Sequence, residues 1–196
     1  TATDPGSLSS SNAATFTVTA ANDALVVTDI PDQTVAEGSS FTTVSLDGYV
    51  SDIDNTDAEM VWTYSGNTAL TVSIVARVAT ITTPSADWNG AETITFTATD
   101  PGSLSSSNAA TFTVTAVNDI PVLAAIGARS VTEGASLSFT VTAADADGET
   151  PALTTSTLPT NATFVDNGNG TASFTFNPNY LQSGAYSVTF YARDAA

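Results

Sequence analysis

Apolar and polar residues alternate along this chain with a period of two. Ile94, Phe96 and Ala98 alternate with Thr93, Thr95 and Thr97, and Phe112 and Val114 with Thr111, Thr113 and Thr115. Ser138-Phe139-Thr140-Val141, Phe174-Thr175-Phe176 and Val188-Thr189-Phe190 repeat the pattern. A period of two predicts half-buried strands, with one face in a core and the other in water. Helical periodicity is nowhere sustained. Turn signals punctuate the strands at Asp47-Gly48, Asn89-Gly90, Pro101-Gly102, Asp147-Gly148, Asn167-Gly168 and Asn169-Gly170. Short strands at that spacing predict a sandwich or barrel.

An internal repeat sets the expected boundaries. Residues 1–23 and 97–119 match at every position except Ala21 against Val117, so the period is 96 residues. That length suits one seven-stranded sandwich. Residues 24–119 are expected to form one complete domain, and 120–196 a second, more distant copy that lacks its last strand. Residues 1–23 then read as the last strand of a preceding or neighbouring domain. Val35-Ala36-Glu37-Gly38 corresponds to Val131-Thr132-Glu133-Gly134, and Asp52-Ile53-Asp54 to Asp145-Ala146-Asp147. Phe96-Thr97-Ala98-Thr99-Asp100 corresponds to Phe190-Tyr191-Ala192-Arg193-Asp194. The chain opens on Thr1 rather than Met, which reads as a processed or excised piece.

Charge narrows the function. The net charge is −17, with no lysine, no histidine and three arginines, Arg77, Arg129 and Arg193. Such a surface repels nucleic acid and anionic membranes and attracts cations. The chain also lacks cysteine, which excludes disulfides and thiolate metal sites. Without Cys, His or Lys no familiar nucleophile–base set can be assembled. Asp52/Asp54 and Asp145/Asp147 could pair as acid and base, but they recur at equivalent places in two copies, which suits a structural role. No enzyme activity is expected. No long uncharged apolar run suggests a membrane span.

The carboxylates sit where strands end or domains join. Asn22-Asp23 and Asn118-Asp119 occupy the joints, Glu37 and Glu133 close a first strand, and Asp100 and Asp194 close the penultimate strand. Turn chemistry alone also favours Asp and Asn at such places. The stretch Thr97-Ala98-Thr99-Asp100-Pro101-Gly102, then Leu104-Ser105-Ser106-Ser107 and a strand running to Val117-Asn118-Asp119-Ile120-Pro121, resembles the closing part of a cadherin or bacterial cadherin-like repeat. Asp87-Trp88-Asn89-Gly90 resembles the Asn-Gly motif of bacterial tandem surface repeats.

The resemblance implies an all-β fold of tandem seven-stranded Greek-key β-sandwiches, cadherin-like or immunoglobulin-like. It also implies calcium at the joints. Carried over, Glu37, Asp87, Asn118 and Asp119 would serve the joint inside the chain, with Asp145, Asp147 and Asp194 from the second domain. Asn22, Asp23, Asp52, Asp54 and Asp100 would serve the joint before it, with Asp4 as a further candidate, and Glu133 a joint after it. The acidic Asp-x-Glu element of animal cadherins is missing, and Asp87-Trp88-Asn89 stands near its place. One or two ions per joint are therefore expected rather than three.

The expected function is a structural module of an extracellular or cell-surface filament or stalk, stiffened by calcium, whose partners are copies of itself. Residues 1–23, with Phe16 and Val18 facing in, could be donated to an open second domain, head to tail; a longer continuous chain explains the same layout. The alternative is an adhesin that binds a glycan or another cell. Trp62 is expected in the core and Trp88 over the Asn-Gly turn. Asn161-Ala162-Thr163 and Asn169-Gly170-Thr171 are glycosylation sequons.

Overall fold

In the computed structural model, residues 2–3, 5–6 and 9–194 are described. The strands in chain order are β1 (Ala2–Thr3), β2 (Ser9–Ser10), β3 (Val26–Val27), β4 (Gln33–Ala36), β5 (Val44–Ser45) and β6 (Val50–Ser51). There follow β7 (Val61–Ser65), β8 (Thr71–Val75), β9 (Val78–Thr82), β10 (Gly90–Thr99) and β11 (Ser105–Thr115). The second unit has β12 (Val122–Leu123), β13 (Leu137–Ala144), β14 (Ala152–Thr155), β15 (Ala162–Asp166), β16 (Thr171–Phe176) and β17 (Phe190–Arg193). Two short 3-10 turns, Leu46–Tyr49 and Asp57–Glu59, complete the regular structure. The chain is all-β, in tandem sandwiches, as expected.

In the first unit one sheet runs β4-β11-β10-β7 and the facing sheet β5-β9-β8, with β3 paired to β6. The first strand of the sandwich is split. β3 pairs antiparallel with β6, and β4 then crosses to run parallel with β11, Gln33 opposite Phe112 and Val35 opposite Val114. The alternation read from the sequence is what seats these strands. Ile94, Phe96 and Ala98 on β10 and Ala110, Phe112 and Val114 on β11 face inward and are buried, while the threonines between them lie on the outer face. Phe41 and Phe96 meet Phe112 edge to face, with ring centroids 5.3 and 6.4 Å away, a favoured geometry for aromatic quadrupoles. Trp62 is buried on β7, as expected. Trp88 lies against Gly90, where an added Cβ would come within 3.0 Å of the indole.

Glu92 fastens this sandwich at a point the sequence did not advertise. Its carboxylate accepts from the amides of Thr68, Ala69 and Leu70 at 2.9, 2.6 and 3.1 Å, and from the Thr68 hydroxyl. Burial pushes the group up, but these donors outweigh it and hold its pKa at about 2.

The second unit repeats the plan with part of it unbuilt. Its sheets are β12-β13-β16-β15 and β14-β17. Among the described residues nothing stands where β11 stands in the first unit. The consequences are local. In the first unit β7 pairs only with residues 95–99 of β10, so Gly90 to Ile94 are held as strand by β11 alone. The equivalent residues 184–188 are not strand, although Val188-Thr189-Phe190 carries the expected alternation. Likewise β4 is held only by β11, and its counterpart at 129–132 is not strand. Backbone amides without a ladder partner stay solvated instead of pairing. The buried core residues of this unit are Val141, Ala143, Leu153, Ala172, Phe174 and Phe176, with Phe139, Phe164 and Phe190 only partly covered around them.

The segment 1–23 also departs from its twin. Ala2 pairs with Ser10 and Thr3 with Ser9, the register of Ala98 with Ser106 and Thr99 with Ser105. Beyond that hairpin, residues 11–20 are in no strand and pair with no strand of the described residues, and Phe16 and Val18 are 89% and 95% exposed. Identical residues in β11, Phe112 and Val114, are 0% and 3% exposed. The inward facing expected of Phe16 and Val18 is not realised here, since among the described residues no strand lies beside them.

Candidate metal centre

The joint between the two units is built from the end of β11 outward. Glu37, one residue past β4, donates its amide to Thr115 O at 2.9 Å, and Gly38 donates to Ala86 O at 2.8 Å. These bonds set the Glu37 carboxylate beside the outgoing chain, with the Asp87 loop next to it. Glu37 Oε1 accepts from Val117 N at 2.8 Å. Asn118 Nδ2 then donates to Asp194 Oδ2 at 2.8 Å, and Asp119 N donates to Asp147 Oδ2 at 2.7 Å. Asp147 is itself held by an Asx turn, its amide donating to Asp145 Oδ1 at 2.9 Å. Glu37 thus ties the joint to the first unit at Val117, and the bonds of Asn118 to Asp194 and of Asp119 to Asp147 tie it to the second.

The outcome is a gathering of negative charge. One carboxylate oxygen each from Glu37, Asp119 and Asp147 lie within 4.8 Å of one another. Glu37 Oε2 and Asp145 Oδ2 are buried with no hydrogen-bond partner. Desolvation first, then the charges of Asp87, Asp147, Glu37 and Asp145, push the Asp119 carboxyl above its ordinary 3.8. No basic side chain relieves this. Among the described residues the one ion pair is Arg77 with Asp47, at 2.7 Å and away from the joint, and Arg129 sits over the Phe139 ring.

The same pattern appears at the other end of the first unit. Asn22 Nδ2 donates to Asp100 Oδ2 at 2.9 Å, Asp23 N to Asp54 Oδ2 at 2.7 Å, and Asp54 N to Asp52 Oδ1 at 2.7 Å. Asp52 Oδ2 is buried and unpartnered, as Asp145 Oδ2 is. Asp100 is buried, and its other oxygen accepts from Leu104 N at 2.9 Å. In the described residues no carboxylate stands where Glu37 would stand for this second set. Glu133, the counterpart of Glu37, lies at the far end of the second unit on the rim of a cavity. Asp4 lies outside the described residues.

The structure therefore brings Glu37, Asp119, Asp145 and Asp147 together, with Asp87 in electrostatic reach and Asn118 and Asp194 bonded alongside. It brings Asn22, Asp23, Asp52, Asp54 and Asp100 together separately. Sequence reasoning missed Asn55, whose amide donates to Asp52 Oδ1 at 2.9 Å and whose side-chain oxygen is buried without a partner. Its place directly after Asp52-Ile53-Asp54 was the available signal. Orphaned oxygens beside clustered carboxylates are a donor set that suits a hard cation of high coordination number, which takes six to eight oxygens. They do not suit a soft metal, which wants thiolate or imidazole.

Comparison with known proteins agrees with the architecture. The profile described as the bacterial Ig domain matches residues 22–115 and 118–196. A structure of protocadherin gammaB7 domains EC3-6 is similar at 18% identity and a TM-score of 0.52, covering 89% of this chain and 44% of that one. A PcdhgB3 EC1-4 structure is similar at 14% identity and a TM-score of 0.55, covering 87% of this chain and 45% of that one. An endo-fucoidan hydrolase of glycoside hydrolase family 107 is similar over 95% of this chain and 29% of that one, at 19% identity and a TM-score of 0.42. This chain thus spans less than half the length of each of the three. The two protocadherin likenesses speak to the fold alone, and the hydrolase likeness carries no argument. No curated protein matches the chain.

Proposed function

Since both units match its profile, the chain belongs to the bacterial Ig domain family, and we propose that it is a structural module of an extracellular filament or cell-surface stalk, stiffened by calcium at its joints. The observation that carries this reading is the pair of buried, unpartnered oxygens, Glu37 Oε2 and Asp145 Oδ2, beside Asp119 and Asp147. Domains of this class are generally non-enzymatic, and the acids here lie at a seam rather than in a cleft.

Glu37, Asp87 and Asp119 would hold the ion from the first unit and the joint, and Asp145 and Asp147 from the second. Asn118 and Asp194 would support them through their hydrogen bond. Calcium would supply neutralisation, so that ligands from both units are fixed to one point. Asx turns and backbone amides already orient those ligands, which lowers the ordering cost of binding. Joints of extracellular modules bind calcium at roughly 10⁻⁴–10⁻³ M. A cation bound by the folded joint stabilises by mass action, about 2.7 kcal/mol at a hundredfold excess over Kd. A rod suits this chemistry, because each unit contacts mainly its neighbours and length adds little folding complexity.

The test combines calorimetry and small-angle scattering with and without millimolar calcium. Calcium should raise the melting temperature and narrow the distribution of angles between the units, and chelator should reverse both. A melting curve and a scattering profile that both ignore chelator would refute the assignment. In the described residues no helix is long and apolar enough to cross a membrane.

A further inference from the structure

The loop between β15 and β16 holds two Asn-Gly pairs, Asn167-Gly168 and Asn169-Gly170, and a third pair stands at Asn89-Gly90. An Asn-Gly pair carries chemistry of its own. The nitrogen of the following residue can attack the Asn side-chain carbonyl, and glycine has no Cβ to obstruct the approach. Whether it does depends on how the fold treats three groups: that nitrogen, the carbonyl oxygen and the amide nitrogen that must leave.

Two of the pairs are tied down. Gly90 opens β10 and is paired across the ladder with Val114. At the second pair Gly168 N donates to Asp166 Oδ1 at 3.0 Å, and Asn167 Nδ2 donates to Thr171 Oγ1 at 2.9 Å and to Ser173 Oγ at 3.5 Å. Nucleophile and leaving group are both engaged there.

Asn169-Gly170 is arranged the other way round. Asn169 is exposed. Neither its Nδ2 nor Gly170 N has a hydrogen bond to a described residue. Asn169 Oδ1 accepts from Thr171 N at 3.1 Å and from the Thr171 hydroxyl at 2.6 Å. This Asx turn folds the side chain back across its own following peptide, which brings Cγ towards Gly170 N. The peptide is also held still. Gly170 O accepts from Ala143 N at 2.8 Å, and a Cβ on Gly170 would come within 2.8 Å of Ala143 O, so the position requires glycine. Thr171 Oγ1 accepts from Asn167 while it donates to Asn169, and bonds linked in series strengthen one another. Oδ1 therefore has two donors where negative charge develops as Cγ becomes tetrahedral.

We propose that Asn169 is a site of self-directed covalent modification, converting to aspartate and isoaspartate through a cyclic imide with water as the only co-reactant. Gly170 N loses its proton to solvent and bonds to Asn169 Cγ. The Cγ–Nδ2 bond breaks, and Nδ2 takes a proton from water and leaves as ammonia. Water then opens the ring at either carbonyl. Each event exchanges an amide for a carboxylate. The loop is bonded to Ala143, two residues before Asp145, and Thr171 lies opposite Thr142. The new charge thus arises at the end of the second unit that carries Asp145 and Asp147. The isoaspartate form also places Cβ in the backbone, which dismantles the Asx turn.

The proposal rests on the loop and is independent of any cation. The test holds the full chain in warm, mildly alkaline buffer and maps its peptides by mass spectrometry over time. In the folded chain Asn169 should convert at least about tenfold faster than Asn89 and Asn167, a barrier difference of about 1.4 kcal/mol. In denaturant the three pairs should react at similar rates. Thr171→Val, which deletes the hydroxyl donor, should slow the folded chain about fivefold, and Thr171→Ser, which keeps it, should match the parent. Both aspartate and isoaspartate should appear at position 169. Asn89 or Asn167 reacting as fast as Asn169 in the folded chain overturns the proposal. So does a Thr171→Val chain that reacts as fast as the parent, or a product that is ordinary aspartate alone, which means direct hydrolysis.

Discussion

Phe112 and Phe16 occupy the same place in two identical stretches, and truncating each to alanine should have opposite consequences. Phe112 is fully buried between Phe41 and Phe96. Removing its ring deletes the transfer free energy of a large side chain and leaves a cavity that the facing sheets cannot close. Phe→Ala in such a core costs about 3–5 kcal/mol. For a domain of this size each kcal/mol lowers the melting temperature by about 4–8 °C, so Phe112→Ala should lower the first unit's transition by roughly 15–30 °C. Phe16 is 89% exposed, and Phe16→Ala in dilute solution should leave both transitions within about 0.5 kcal/mol of the parent. Scanning calorimetry at low micromolar concentration reads both. If Phe112→Ala moves the first transition by less than about 5 °C, the packing argument is wrong. If Phe16→Ala matches it in dilute solution, the leading segment is packed into a core and not free.

Two further outcomes follow from the carboxylates. The Glu92 pKa is held near 2 against an ordinary 4.5, so its contribution is present above pH 4.5 and is lost as pH falls from there towards 2. The lowered pKa corresponds to at most about 3 kcal/mol, and solvent screening at this half-exposed site leaves about 1–2. Glu92→Gln should therefore melt earlier than the parent at pH 7, and the difference should vanish near pH 2. An equal difference at both pH values would refute the hydrogen-bonded account. Asp119 has its pKa raised, so its ionised form is disfavoured in the folded joint above the ordinary Asp range. Asp119→Asn should raise the melting temperature in chelator, by removing that repulsion, and lower it relative to the parent in calcium, by removing a ligand. The same sign under both conditions would count against a cation among these acids.

How much of this was legible in the sequence depends on whether the signal was local. The inward faces of β10 and β11 were readable because Thr-x-Thr alternation needs no context to define two faces. The Asp-x-Asp turns were readable because Asx turns are made by neighbours, Asp52 with Asp54 and Asp145 with Asp147. The hairpin joining β8 and β9 was not. Its two-residue turn is Ala76-Arg77, both at positive φ, 48° and 62°, with no Gly or Asn to announce it. Tertiary contacts hold it instead, Arg77 Nε to Asp47 Oδ1 at 2.7 Å and Leu46 N to Arg77 O at 3.0 Å. Glu92 was invisible for the same reason, since its donors lie more than twenty residues away.

The repeat gives the sharpest case. Ser105–Thr115 is an eleven-residue strand, and the identical Ser9–Thr19 is paired only at Ser9 and Ser10. Propensity, alternation and turn chemistry are the same in both. What differs is the presence of β4 and β10 on either side of one copy, whereas among the described residues only Ala2–Thr3 pairs with the other. An isolated strand gains no ladder bonds and buries no face, so it cannot offset its ordering entropy. Residues 184–188 fail from the opposite side, with the right pattern and, among the described residues, no strand beside them.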